Sequence, residues 1–169
     1  DTRRPESGNS RAIFEAGRAL NEDPDVRAVV LSGAGRCFCA GLDVGNFAGI
    51  AKGGGGGTDA GSARSIFDKP EGSIANYAQL PGRVWQTLNV PVIAAVHGVA
   101  VGGGLQIALG ADIRIIAPDA RMSVMEIKWG LVPDMAGTQL LRNLTRLDIA
   151  KELTFTGRVV SGVEAVELG

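Results

Sequence analysis

Two glycine-containing turns each follow an apolar run, and both can present main-chain N–H groups to a ligand. Gly102-Gly103-Gly104 comes after the apolar run 91–96 and opens a predicted helix at 105–109. A second turn at 38–43 follows the apolar run 26–31. Glycine has no side chain to cover its N–H, and the start of a helix adds partial positive charge there. Two such turns predict donors for one developing oxyanion, as acyl-transfer or enolate chemistry requires.

The elements that must position these turns alternate between helices and strands. Apolar periodicity predicts helices at 10–20, at 44–50, at 74–88 with an interruption at Pro81-Gly82, and beyond residue 137; it predicts strands at 26–31, 91–97 and 112–117, and an edge strand at 122–124. The glycine-rich segment 52–58 is predicted to be a flexible loop. Capping boxes are expected at Thr145 with Asp148 and at Ser161 with Glu164. This order predicts one α/β domain over residues 1–169 with largely parallel strand pairing.

Composition excludes several functional classes. The chain has 169 residues, 45% of them hydrophobic and 21% charged, with a formal net charge of −1, so a clustered basic face for nucleic acid is not expected. No apolar run approaches the length of a membrane span. Cys37 and Cys39 are too close in sequence for a structural disulfide, which indicates a reducing compartment, and we predict a cytoplasmic location.

With both turns located, the chain resembles the crotonase, or enoyl-CoA hydratase/isomerase, superfamily. The resemblance covers nearly the whole chain in family order, whereas each motif alone is weak. The matching motifs are Arg4-Pro5-Glu6, the strand 26–33, Phe38-Cys39-Ala40-Gly41-Leu42-Asp43, the strand 91–98, Gly102-Gly103-Gly104, Gly110-Ala111-Asp112-Ile113-Arg114, Glu126, Gly130-Leu131-Val132-Pro133 and Gly137-Thr138-Gln139.

The resemblance implies a spiral of ββα units, acyl-CoA substrates, a homotrimer or dimer of trimers, and neither a metal nor a redox cofactor. It assigns the two oxyanion donors to the N–H groups of Leu42 and Gly103. The neighbouring residues expected to bind substrate are Ala40, Gly41, Asp43 and Gly104, and Asp43 is also expected to cap the following helix. Because family members extend further at both ends, we expect this chain to be truncated at each terminus.

The resemblance also implies which side chains move protons. Glu126 corresponds to the glutamate that delivers the proton in the family's hydratases, whereas their other glutamate falls at Gln106. An amide cannot act as a base, so we expect Gln106 to orient substrate or water. Asp134 falls where dienoyl-CoA isomerases and β-hydroxyacyl-CoA hydrolases of the family carry an aspartate; alternatively, it caps the next helix. His97 is expected to be a hydrogen-bonded core residue.

These residues predict an enzyme that shifts a C=C bond, with hydration as a close alternative and β-hydroxyacyl-CoA thioester hydrolysis after that. A non-catalytic acyl-CoA-binding protein is the alternative from another class, because Gln106 removes part of the acid–base set. A dinucleotide-binding domain is excluded because Phe38 takes the place of the third glycine after Gly33 and Gly35. A serine peptidase is excluded because the chain has one histidine and no Gly-x-Ser-x-Gly motif.

Overall fold

The computed structural model of the protein describes residues 10–41 and 68–169. Within these ranges the strands form two sheets. Their bounds are β1 (Val29–Ser32), β2 (Val92–Val96), β3 (Val99–Val101), β4 (Ile113–Ile116), β5 (Arg121–Ser123) and β6 (Val160–Ser161). One sheet has the order β1-β2-β4 and the other has the order β3-β5-β6. All pairs are parallel except β5 with β6. The predicted α/β class with largely parallel pairing is confirmed.

Six α-helices and two short 3-10 helices occupy the described residues. Their bounds are α1 (Ser10–Glu22), α2 (Leu80–Arg83), the first 3-10 helix (Val84–Thr87), α3 (Gly103–Leu109), the second 3-10 helix (Met125–Trp129), α4 (Gly137–Leu144), α5 (Leu147–Thr156) and α6 (Gly162–Leu168). The helix predicted at 44–50 and the loop predicted at 52–58 lie outside the described residues.

The strands follow one another in repeated pairs, each pair ending in a helix. β2 and β3 lead into α3, and β4 and β5 lead into the second 3-10 helix. The first strand of each pair lies in one sheet and the second strand lies in the other, because β2 pairs with β4 and β3 pairs with β5. Successive ββα units therefore stack in parallel, which is the spiral expected from the sequence.

A corner at Gly98 sends β2 and β3 into different sheets. Gly98 has a φ of +62°, and a Cβ there would lie 2.1 Å from the main-chain oxygen of Arg36. Only glycine combines this conformation with so close an approach. β3 is not predicted from the sequence, because the apolar run continues on both sides of a corner that is only two residues long.

The buried core packs α3 against its neighbours. Leu105, Ala108 and Leu109 on α3 are buried, and this helix contacts β3, α2 and α4. On β2, Val92 and Val96 are almost completely buried. The core thus fixes the helix that begins at the Gly102-Gly103-Gly104 turn.

Several local predictions were wrong. Pro81 does not interrupt a helix but lies in the first turn of α2, where its missing N–H has no cost. The predicted edge strand, β5, lies in the middle of its sheet. Thr145 does not cap α5; its hydroxyl donates to the main-chain oxygen of Leu168.

The cap at Ser161 is present, because its hydroxyl oxygen accepts from the N–H of Glu164 at 3.1 Å. No described helix has the length and apolar character needed to cross a membrane.

Candidate active site

The turn before α3 leaves one main-chain N–H available. Gly102 has a φ of +55°, and its N–H donates to the main-chain oxygen of Ser123 at 3.0 Å. Gly103 is the first residue of α3, so its N–H has no partner inside the helix. Among the described residues, no oxygen outside the helix accepts a hydrogen bond from the Gly103 N–H either. This N–H can therefore donate to a ligand.

The second turn lies directly beside the first one. Cys39 forms a parallel bridge with Ala100. The Cys39 N–H donates to the main-chain oxygen of Val99 at 3.0 Å, and the Cys39 oxygen accepts from the N–H of Val101 at 3.2 Å. Gly41 has a φ of +86°, and a Cβ there would lie 3.7 Å from the nitrogen of Gly103. Residues far apart in the sequence are thus brought to one place.

Ala40 and Gly104 are the described members of the remaining predicted substrate-binding residues, and both lie at the second turn. Ala40 is exposed and precedes Gly41. Gly104 lies so close to Cys39 that a Cβ would be 2.2 Å from the Cys39 main-chain oxygen, so glycine is required there for packing. Leu42, the second predicted donor, and Asp43 lie outside the described residues.

Glu126 lies against the same turn. It belongs to the second 3-10 helix and is only 8% exposed. A Cβ on Gly102 would lie 3.4 Å from Glu126 Oε1, so the carboxylate lies beside the turn that carries the Gly103 N–H. Glu126 Oε2 is buried and has no hydrogen-bond partner among the described residues.

Gln106 joins Glu126 to a third element. Its Nε2 donates to Glu126 Oε1 at 2.5 Å, and its Oε1 accepts from the main-chain N–H of Gly137 at 2.8 Å. The side chain is 2% exposed. The predicted role of Gln106 in orienting substrate or water stays a prediction, but both polar ends of the amide already have protein partners.

Burial sets the acid–base properties of the two carboxyl groups. It raises the pKa of Glu126, and the charge of Asp134 raises it further, whereas hydrogen bonds from the Glu126 main chain and from Gln106 lower it. Burial also raises the pKa of Asp134. Asp134 as a residue is exposed, so the effect comes from protein atoms packed around part of its carboxyl group. Both pKa values are therefore shifted upward, toward neutral pH, where a carboxyl group can both accept and donate a proton.

Asp134 does not cap the next helix. The N-cap of α4 is Ala136, which has a φ of +71°, and no side chain caps this end. The N–H of Asp134 donates to the main-chain oxygen of Val132 at 2.8 Å. The capping explanation of Asp134 was therefore wrong, and its role beside Glu126 stays a prediction.

The histidine and the cysteines have ordinary structural environments. His97 Nε2 lies 3.0 Å from the main-chain oxygen of Gly35, so the expected hydrogen bond is present. His97 is only partly buried, so its predicted place in the core was wrong. Cys37 and Cys39 are free and partly buried.

Sequence reasoning missed two residues at the site. Gly137 supplies the N–H to Gln106, and a Cβ there would lie 2.6 Å from Gln106 Oε1. Met135 lies against Gly103, because a Cβ on Gly103 would be 2.8 Å from its sulfur. No local pattern indicates either contact, since each joins residues about 30 positions apart.

A separate apolar cavity of about 290 Å³ lies between α3, α4, α5 and α6. Its lining includes Leu105, Leu109, Leu141, Leu153 and Val166. None of the predicted site residues that the structure describes lines it.

Comparison with known proteins identifies the family. The sequence model described as enoyl-CoA hydratase/isomerase matches residues 4–169. The peroxisomal Delta(3,5)-Delta(2,4)-dienoyl-CoA isomerase of Arabidopsis thaliana is 34% identical over 152 residues, covering 89% of this chain and 53% of the relative. The mitochondrial methylglutaconyl-CoA hydratase of Homo sapiens is 35% identical over 160 residues, covering 94% of this chain and 42% of the relative.

Solved structures support the same conclusion. The crystal structure of enoyl-CoA hydratase from Bacillus anthracis superposes with a TM-score of 0.76 at 32% identity, covering 95% of this chain and 56% of that chain. The crotonase-type fold predicted from the sequence is confirmed. The protein spans about half the length of the curated relatives it matches, and relatives named hydratase and isomerase match at nearly equal identity. By sequence and by fold, this chain belongs to the enoyl-CoA hydratase/isomerase family of the crotonase superfamily.

Proposed function

We propose that the protein is an acyl-CoA enzyme that shifts or hydrates a C=C bond through an enolate of the thioester. The observation that carries this proposal is the contact between the Glu126 carboxylate and the turn that presents the Gly103 N–H. A thioester oxygen bonded to Gly103 would hold its acyl chain within reach of Glu126.

Each step follows from the chemistry of these two groups. Glu126 removes a proton from the acyl chain, and the C–H electron pair moves toward the thioester oxygen. The Gly103 N–H, with the N–H of Leu42 that the family resemblance adds, stabilises the negative charge on that oxygen. Donors aimed at such a charge contribute about 3–4 kcal/mol each. We propose that the reaction uses no cofactor; the coenzyme A thioester is the substrate, and hydration adds only water.

We favour isomerisation slightly over hydration. In isomerisation Glu126 returns the proton to a different carbon, so one carboxylate is sufficient. Hydration also needs a group that binds and activates water, and both polar ends of Gln106 already bond to protein groups. The comparisons give no preference between the two reactions.

Asp134 supports a second candidate. Its raised pKa and the effect of its charge on Glu126 support it as the partner of Glu126 in adding water to a double bond or in hydrolysing a β-hydroxyacyl-CoA thioester. We further propose a homotrimer or a dimer of trimers, which sedimentation velocity would test, and a cytoplasmic location, which fractionation of the source cells would test.

The proposal is tested by proton exchange. The protein is incubated with an acyl-CoA in D₂O, and loss of the α-proton signal is followed by NMR. We expect exchange with the wild-type protein and a loss of about 10²–10⁴-fold in Glu126→Gln, the size of a general-base contribution. Glu15→Gln, which alters an exposed ion pair with Arg11, is the matched control and is expected to exchange normally. A protein that binds acyl-CoA but exchanges no proton would be the non-catalytic alternative.

A further inference from the structure

The amide of Gln106 can adopt only one orientation. A main-chain N–H always donates, so the Gln106 atom that faces Gly137 at 2.8 Å must be the oxygen. The atom that faces Glu126 at 2.5 Å is therefore the NH₂ group. With the side chain 2% exposed, no solvent competes for either bond.

This orientation makes the two oxygens of Glu126 unequal. An NH₂ group only donates, so Oε1 must accept from it and cannot at the same time carry a proton directed at Gln106. Oε2 is buried and has no hydrogen-bond partner among the described residues. The proton that Glu126 takes up therefore belongs on Oε2.

We propose that Gln106 is a positioning residue that holds Glu126 by Oε1 and leaves Oε2 to take and return the proton. This inference rests on the proposed function and deepens it. It gives Gln106 a role different from the expected contact with substrate or water, since Gln106 acts through Glu126. Gly137 completes the arrangement, because its N–H prevents the amide from turning over.

The contact joins three elements that are separate in the sequence. Gln106 lies on α3, Glu126 on the second 3-10 helix and Gly137 at the start of α4. The partners are 20 and 31 residues from Gln106. A buried carboxylate without the amide could rotate about its last bond, and a displacement of about 1 Å costs on the order of 10²-fold in rate.

The test uses Gln106→Met, which keeps the length of the side chain and removes both polar contacts. In the D₂O exchange assay we expect kcat to fall about 10–100-fold while KM changes less than about twofold. The exposed Gln139 on α4 provides the matched control, and Gln139→Met is expected to keep the wild-type kcat.

A double-mutant cycle separates positioning from other roles. If Gln106 acts only through Glu126, then Gln106→Met causes no further loss of kcat in the Glu126→Gln background. Multiplying losses, or a tenfold rise in KM at unchanged kcat, would overturn the inference and indicate direct substrate contact. Circular dichroism verifies folding, and Gln106→Asn, which keeps an amide but is too short to reach both partners, replaces the Met variant if that variant unfolds.

The same assay distinguishes two kinds of failure. Wild-type exchange in Glu126→Gln would reject the proposed function itself. A strong loss in Glu126→Gln together with normal exchange in both Gln106 variants would reject only the positioning role.

Discussion

At the residue scale, the buried carboxylate of Glu126 lowers the stability of the folded protein. The residue is 8% exposed, one of its carboxyl oxygens has no hydrogen-bond partner among the described residues, and burial raises its pKa. An acid whose pKa is higher in the folded state binds protons more tightly there than in the unfolded chain. Folding stability therefore falls as the pH rises through the range between the ordinary and the raised pKa, and the full cost is present above that range.

This cost predicts that Glu126→Gln is more stable than the wild-type protein at pH 7–8, by on the order of 1 kcal/mol. The difference in melting temperature between the two proteins should narrow as the pH falls to the ordinary glutamate value of 4.5 and below. Thermal denaturation at a series of pH values measures it. Glu15→Gln serves as the control and should change the melting temperature little. A Glu126→Gln variant less stable than the wild-type protein at pH 8 would show that the charged carboxylate stabilises the fold.

Most residues of the candidate site could be predicted from the sequence, but not all of their contacts could. The glycine turns and Glu126 stand out because their motifs are local and keep a family order. The bonds of Gln106 could not be predicted, because they depend on how α3, α4 and the second 3-10 helix pack. The Ala136 conformation is equally invisible to sequence patterns, since a φ of +71° is unusual for alanine.

At the scale of elements, glycines allow α2 to approach both the end of α3 and the segment before α4. A Cβ on Gly110 would lie 2.0 Å from the main-chain oxygen of Gly82, and a Cβ on Gly82 would lie 2.3 Å from the oxygen of Met135. The φ of Gly110 is −73°, which any residue can adopt. Close packing alone therefore requires glycine at this position.

We expect Gly110→Ala to lower the free energy of unfolding by about 1–3 kcal/mol, because main-chain atoms must move apart. Urea denaturation measures the change. Gly35→Ala is the matched control, since no atom lies within 4 Å of a Cβ at Gly35. Equal stabilities of the two variants would mean that α2 and α3 can separate at no cost.

Strand prediction succeeded where apolar runs end at clear turns and failed where they do not. The strand predicted at 112–117 corresponds to β4, and the strand predicted at 91–97 contains β2. Residues 122–124 are predicted as a short edge strand, whereas β5 pairs with a strand on each side. Its second neighbour, β6, is two residues long and comes from a distant part of the chain. Local patterns cannot reveal such a partner.

At the scale of the whole molecule, the fold was predictable and the reaction was not. Alternating strands and helices together with ordered motifs are sufficient for the family, which the comparisons confirm. The same fold supports hydratases and isomerases alike, so the reaction depends on a few groups around one carbonyl oxygen. We propose that those groups here are Glu126, Gln106, Asp134 and the N–H of Gly103.

The most direct test of the account is the infrared C=O stretch of an acyl-CoA labelled with ¹³C at its thioester carbon. Hydrogen bonds from the N–H of Gly103 and from the N–H of Leu42, the proposed second donor, weaken this C=O bond. We therefore predict a lower C=O stretching frequency for the bound ligand than for the free one. Gly103→Ala keeps the N–H and should retain the shift once the flexible Met135 side chain moves away from the new Cβ, which would otherwise lie 2.8 Å from its sulfur. Gly103→Pro removes one of the two donors at a helix position that accepts proline and should lose about half of the shift. An unshifted band at saturating ligand, or an equal shift in both variants, would contradict the claim that Gly103 holds the thioester oxygen beside Glu126.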